Sequence, residues 1–411
     1  MSKTDYDRLT ASGLEIETVG DLLGGHGDAP VAPVAPPRHE GQPAFPTPGI
    51  YFGMPEEQYH AIHAGSTSGL KNLSVSSMDY WANSALNRDR EEQSRKDYFD
   101  FGKAIHCLVL EGEEAYQARY VVGLEKPKGV LETTDQIKTR IAELGHKPTT
   151  KGFDDLTRAA RKEDWIAQLL ALDPDAQVWE RMQAAFDAEH EGAEIVTHKI
   201  DKRVRIAARM IEAHPELKDA FTGGYAEVSV FWYCPETGCP MKARFDYLKM
   251  RVIVDLKSFA GKGGMPIRKA ILNTIASYSY NLQHSVYLEA AMAARRMIRE
   301  KGEFAIHSNM DTPGTLAPHA RGAIVDWCTK WAKQTEEPQF LFVFQKADIA
   351  PVTRGYVMPR GTVLSVTRSI SERLKRKWVE CAMIYGTDQW LDIEPIETLA
   401  DEELPIWATD L

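Results

Sequence analysis

Between Ala226 and Ser258 the chain changes period. "AEVSVFWY" (226–233), "CPMKARFDYLKM" (239–250) and "RVIVDLKS" (251–258) are rich in Val, Phe and Tyr and are joined by turn chemistry, which predicts an antiparallel meander. A meander must bury one face, and the flanking text supplies the cover. "KAILNTIASYSYNLQHSVYLEAAMAARRMI" (269–298) reads as one long, weakly interrupted amphipathic helix, "QFLFVFQ" (339–345) as a further strand with "RGYVMP" as its partner, and 362–385 as a last helix. Upstream, "STSGLKNLSVSSMDYWANSAL" (66–86) opens with capping hydroxyls, "FDFGKAIHCLVLEGEEAYQARYVV" (99–122) gives two more helices, and 151–215 reads as helices broken near Pro174 and Gly192. Residues 305–337 are expected to be an insertion with its own short helix. No internal repeat is present. The order implies an α/β fold with helices packed on a mixed sheet, and 411 residues with 43% hydrophobic content suffice for its core.

The third strand carries charge into this layer. Side chains alternate along a strand, so Asp255 and Lys257 share one face while Val252, Val254 and Leu256 take the other. Asp246 lies nine residues earlier, where an antiparallel neighbour brings its carboxylate to the same end. Two converging carboxylates repel, and a divalent cation relieves that repulsion; hard oxygen ligands suit Mg²⁺, which bridges readily to phosphate. With a lysine beside them, these parts fit phosphodiester hydrolysis. An ordinary surface ion pair is the competing reading of Asp-x-Lys alone. The apolar run before Asp255 argues for a central strand, where unused charge is costly.

Composition narrows the classes. The formal net charge is −10, yet residues 388–411 hold eight Asp and Glu and no Lys or Arg, so the body is nearly balanced. Basic clusters stand at Lys199, Lys202, Arg203, Arg205 and Arg209, at Lys242, Arg244, Lys249 and Arg251, at Arg295, Arg296, Arg299 and Lys301, and at Arg373, Lys375, Arg376 and Lys377. Only convergence on one groove would make them a phosphate-binding surface. Five scattered cysteines argue against a disulfide framework, and Cys234 and Cys239 lack the second pair that a metal site needs. With no signal-peptide pattern and no apolar run of membrane-spanning length, the expected location is the cytoplasm, with no membrane partner. Residues 1–48 are expected to be disordered, with a Pro-, Gly- and Ala-rich linker from 24; residues 49–387 form the folded domain, including a helical region 123–215, and 388–411 an acidic tail.

Asp246, eight intervening residues and then Asp255-Leu256-Lys257 resemble the PD-(D/E)xK nuclease signature. Further stretches resemble the RecE-type exonucleases, exodeoxyribonuclease VIII, in order: "PGIYFGMPEEQYHA" with "STSGLKNL", "FDFGKAIHCLVLE", "AEVSVFWYCPETGCPMKARFDYL" and "YSYNLQHSVYLEA". The resemblance implies a restriction-endonuclease-like core, a mixed central sheet flanked by helices. It makes His106, Asp246 and Asp255 metal ligands, with the Leu256 carbonyl as a further oxygen, and Lys257 the catalytic lysine. Glu227 would hold a second metal or a water, or else be a solvated strand end. Gln283 and Tyr287 match a Gln-x-x-x-Tyr element that approaches the DNA backbone and active site. Ser66, Ser68 and Lys71 would seat a phosphate at a helix start, or simply cap it.

The activity implied is a Mg²⁺-dependent exonuclease, with Mn²⁺ as a substitute, that degrades linear double-stranded DNA from the 5′ end and leaves 3′ overhangs for recombination. A RecT-type single-strand annealing protein is the implied partner and a homotetrameric ring the implied assembly. The rivals are an endonuclease or an AddB-like nuclease on the same core, the latter lacking its iron–sulfur cysteine spacing here, and a non-catalytic DNA-binding protein of the same fold. A phosphate loop and a G-x-S-x-G elbow are both missing from the sequence.

Overall fold

The computed structural model describes residues 31–90, 97–148, 160–261, 263–308, 320–348 and 350–393. In chain order the elements are strand β1 (Gly49–Phe52) and helices α1 (Glu56–Ala61), α2 (Thr67–Val75), α3 (Ser77–Asn83) and α4 (Asp97–His106). A π-turn (Cys107–Glu111) precedes α5 (Glu113–Arg119), β2 (Tyr120–Val122), α6 (Thr134–Glu143), α7 (Lys162–Leu172), α8 (Trp179–Glu189), β3 (Glu194–Val196) and α9 (His198–Glu212). Then come β4 (Tyr225–Tyr233), β5 (Pro240–Leu248), β6 (Val252–Phe259), α10 (Ile267–Ser277), α11 (Tyr280–Lys301), β7 (Ile306–Ser308), α12 (Ala320–Ala332), β8 (Gln339–Lys346), β9 (Thr353–Val357) and α13 (Thr362–Tyr385). These divide into two compact units. The first gathers the described residues up to 90, between 214 and 345, and from 353 onward; the second holds those of 97–213 and 346–352.

The first unit is built on a seven-stranded sheet in the order β7-β1-β4-β5-β6-β8-β9. β1 runs parallel to β7, and the pairs β1–β4, β4–β5, β5–β6 and β8–β9 are antiparallel. The expected meander is its centre. Along β4, Val228, Val230 and Trp232 face the main core while Phe231 joins a smaller cluster on the other face with Met54, Tyr59 and Ile62, the period-2 split of a sheet covered on both sides. α11 lies over the main face through Leu282, Val286, Ala290, Ala293, Ala294 and Met297, and α13 adds Leu374, Trp378 and Ala382. Just before β4, position 224 must be glycine, because a Cβ on Gly224 would meet the Leu248 carbonyl oxygen at 2.2 Å.

Three differences from the expected layout have local causes. The helix expected over 269–298 is two, α10 and α11, parted at Ser279, whose φ of 53° is left-handed. Residues 305–337 are tied to the core: β7 extends the sheet beside β1, and Ile324, Cys328 and Trp331 of α12 are buried in the main cluster; residues 309–319 lie outside the described ones. Within the expected linker, residues 31–48 are held in place. Val31 and Val34 donate backbone bonds to Pro235 and Gly238, and Phe45 packs on Phe231 and Tyr233. Residues 1–30, the rest of the segment expected to be disordered, and 394–411, most of the acidic tail, fall outside the described residues. The tail's first part is docked, with Trp390 fully buried.

The second unit is mainly helical. α9 buries Ile200, Val204, Ala207, Ala208 and Ile211 at helical spacing behind a Thr197 cap. α6, opened by a capping box of Thr133 and Gln136, packs Ile137 and Ile141 on Trp165, Ile166 and Leu169 of α7. β2 and β3 form a short parallel pair, strands unexpected in a stretch read as helices.

Candidate active site

The site grows out of the register of three strands. The β4–β5 ladder passes from Ala226–Tyr247 to Val228–Phe245, which sets Glu227 opposite Asp246. The β5–β6 ladder holds Leu248–Ile253 and Tyr247–Val254 and ends there, one step short of Asp246 and Asp255. Three carboxylates thus stand at about one level of three adjacent strands, the level called the charged rung below. Regular pairing lapses there: Glu227 has a φ of 53°, and Asp246 Oδ2 accepts the Leu256 amide at 2.8 Å in place of a ladder bond. A non-glycine residue in that conformation costs on the order of 1–3 kcal/mol, a cost that functional sites commonly carry. One Glu227 oxygen and one Asp246 oxygen lie within 4.8 Å of each other.

Asp255 is fully buried, and its carboxylate is held from two sides. Gln283 of α11 donates to Oδ1 at 2.5 Å, and the Lys257 ammonium pairs with Oδ2. Burial alone would lower the Lys257 pKa, but Asp255 and Asp246 outweigh it and raise the pKa above the ordinary lysine value, so the ammonium stays charged. The Lys257 Nζ itself stands over aromatic faces, 5.2 Å from the Tyr280 centroid and 5.9 Å from that of Phe342. For Asp246, desolvation raises the pKa, opposed by Lys257, the Leu256 amide and Arg244. Glu227 is paired with the Arg244 guanidinium, which also donates to the Met54 carbonyl at 2.9 Å. Tyr287, one turn beyond Gln283, packs edge-on against Phe245 at 5.3 Å, and burial followed by the charge of Asp255 pushes its phenol well up.

The register therefore brings Glu227, Asp246, Asp255 and Lys257 together with Gln283 and Tyr287. His106 closes α4 in the second unit and is partly buried. Ser66 is the N-cap of α2, accepting from the Gly69 amide at 3.2 Å and lying 3.3 Å from the Ser68 hydroxyl, which satisfies the capping reading; Lys71 stands over the Tyr278 ring at 5.0 Å. Three of the clustered cations are internal. Lys242 donates to the Tyr59 and Ile62 carbonyls, Arg295 to those of Gln334, Glu336 and Met250, and Lys375 pairs with Glu289. Two contributors escaped the sequence reading. Arg244 looked like one more surface cation, and Tyr280 precedes Gln283 by three and Tyr287 by seven, a helical stripe that would have revealed it.

Oxygen donors of Glu227 and Asp246 within 4.8 Å of each other, beside the buried Asp255, fit a hard divalent cation. A family model described as "PDDEXK-like domain of unknown function (DUF3799)" matches residues 66–307, more than half of the chain. The chain belongs to that PDDEXK-like family. Its mixed, mainly antiparallel sheet flanked by helices is the core such a domain requires, and the charged rung sits on the central strands of that core. A crystal structure from Eubacterium rectale described as "Putative exonuclease" is similar at 13% identity, covering 62% of this chain and 88% of its own, with a TM-score of 0.28. No curated protein matches the chain. Among the described residues no helix of this PDDEXK-like protein is long and apolar enough to cross a membrane.

Proposed function

We propose that this protein is a Mg²⁺-dependent exonuclease that degrades one strand of linear duplex DNA from the 5′ end and leaves a 3′ overhang for strand annealing. The observation that carries the reading is the rung of Glu227, Asp246 and Asp255 with Lys257 on Asp255, in the sheet of a PDDEXK-like domain. Asp246 and Asp255 would hold the cation, Glu227 a second one or a water, with the Leu256 carbonyl and His106 as further donors assigned by the RecE-type resemblance. A bound divalent cation supplies the charge that activates water and offsets the negative charge gathering on the phosphate. The chain's own groups do the rest. Gln283 and Lys257 fix the Asp255 carboxylate from two directions, so its remaining lone pairs keep one aim. The Lys257 ammonium, held protonated, is a fixed positive charge for a phosphate oxygen. Arg244 holds Glu227 facing Asp246.

The RecT-type annealing partner, the homotetrameric ring, Mn²⁺ as a substitute and a cytoplasmic location belong to the same proposal and rest on the resemblance. The test is linear duplex labelled at either the 5′ or the 3′ end, incubated with Mg²⁺ or EDTA, for the wild type and Asp255→Ala. Release of the 5′ label that stops in EDTA and falls at least about 100-fold in the variant is expected. Digestion that persists in EDTA or in the variant overturns the mechanism, and cleavage of closed circles would make the enzyme an endonuclease.

A further inference from the structure

An aromatic path leads outward from the catalytic lysine. Lys257 Nζ stands 5.2 Å from the Tyr280 centroid; Tyr280 stacks inward on the fully buried Phe342 at 5.3 Å and 30°, and outward on Tyr278 at 5.8 Å and 22°. Tyr278 is 55% exposed, a large share for a ring stacked on another, and Lys71 covers it at 5.0 Å. The ring sits at the break between α10 and α11, immediately before Ser279 in its left-handed conformation. That turn departs from the helix period, and it sets Tyr278 parallel to Tyr280 two residues later, where a continuous helix would send the two rings in different directions.

The geometry points to Tyr278 as a stacking platform for an unpaired nucleobase of the strand being cut, with Lys71 as the cation for the adjoining phosphate. An exposed ring stacked on its neighbour and covered by an ammonium, which an incoming base displaces onto the adjoining phosphate, is a combination that takes single-stranded nucleic acid without reading its sequence. The spacing suits such a grip, since the two legs from Lys257 to Tyr280 and on to Tyr278 span at most about three base steps of ~3.4 Å. A base resting on Tyr278 would be separated from its duplex partner a few nucleotides from the phosphate at Lys257. This gives Lys71 a role of its own, apart from the Ser66 cap. The inference rests on the nuclease reading and names how that same site grips its substrate.

The test uses the full chain in Ca²⁺ or EDTA, so that binding is read without cleavage. A single-stranded oligonucleotide carrying 2-aminopurine is titrated with wild type, Tyr278→Ala and Tyr278→Phe while fluorescence and anisotropy are followed together. Wild type and Tyr278→Phe should quench the base on binding; Tyr278→Ala should lose the quench and bind about tenfold more weakly. In Mg²⁺ the same alanine variant should show a KM about tenfold higher with kcat within about threefold, which a merely structural loss would not separate. Absence of quench in the wild type, or a quench unchanged in Tyr278→Ala, overturns the inference while leaving the nuclease standing. A wild type that quenches the oligonucleotide but digests no linear duplex in Mg²⁺ overturns the nuclease reading instead.

Discussion

At Asp255 a fully buried carboxylate is tolerated because both of its oxygens are engaged, one by an amide and one by an ammonium. His63 solves the same problem by staying neutral. It lies in an aromatic box, stacked on Trp378 at 5.5 Å, with Nδ1 against the Pro37 carbonyl at 2.8 Å and Nε2 against the Tyr80 hydroxyl at 2.9 Å. Burial pushes its pKa down to about 3, with Lys242 and His39 adding to the effect and the Pro37 carbonyl opposing it. The lowered value means that the unfolded chain takes up a proton near pH 6.5 while the folded one does not until far lower. Stability from this residue is thus complete above about pH 6.5 and is lost as pH falls toward 3, at about 1.4 kcal/mol per unit. Urea unfolding at pH 7, 6 and 5 should show the wild type losing stability faster than His63→Gln by about that slope; parallel lines would refute it.

Among the elements, those whose period or punctuation is strong were legible in the sequence. β4, β5 and β6 follow their alternation and turn residues, and α13 occupies the expected 362–385. The paired carboxylates could be read as well, because antiparallel register converts the spacing of Asp246 and Asp255 into proximity. What stayed hidden depends on partners remote in sequence. β1 and β7 are four and three residues long and owe their strand state to each other and to β4. The Glu227–Arg244 pair is set by register alone, and the break before α11 contains no Gly or Pro to announce it. That break gives a prediction at this scale. Ser279 bears the cost of a left-handed L-residue, about 1–2 kcal/mol, which glycine would not; glycine also gives back some of the gain through the unfolded chain. Ser279→Gly should therefore be more stable by about 0.5–1 kcal/mol in urea, read as a higher midpoint at unchanged slope. A lower midpoint would mean that the serine hydroxyl contributes more than its backbone costs.

Across the whole chain, the first unit is closed by residues from opposite ends of the sequence. Trp390, in the first described part of the acidic tail, is fully buried, stacks on Tyr80 at 4.5 Å and 15°, and meets Trp378 at 5.8 Å, while its indole N–H reaches the Gly386 carbonyl at 3.0 Å. Two residues on, Asp392 accepts from the Ser77 amide at 3.3 Å and from Lys377 at 3.4 Å. Trp81 donates to the Thr387 carbonyl at 3.1 Å, and His39 reaches the Leu86 carbonyl at 2.8 Å. The α2–α3 pair is thereby clasped between the segment leading into β1 and the one leaving α13. Removing the indole should open a cavity lined by Tyr80, Trp378 and His63, and Trp390→Ala should cost about 3–5 kcal/mol. Such a loss shifts the Tm of a large unit by several degrees. Asp392→Asn removes a charge that is largely exposed to solvent and should shift it far less. If Trp390→Ala melts with the wild type, the tail is a passive cover. If it melts early but keeps Mg²⁺-dependent cleavage below its Tm, the tail acts on the stability of the sheet unit and leaves the chemistry of the rung untouched.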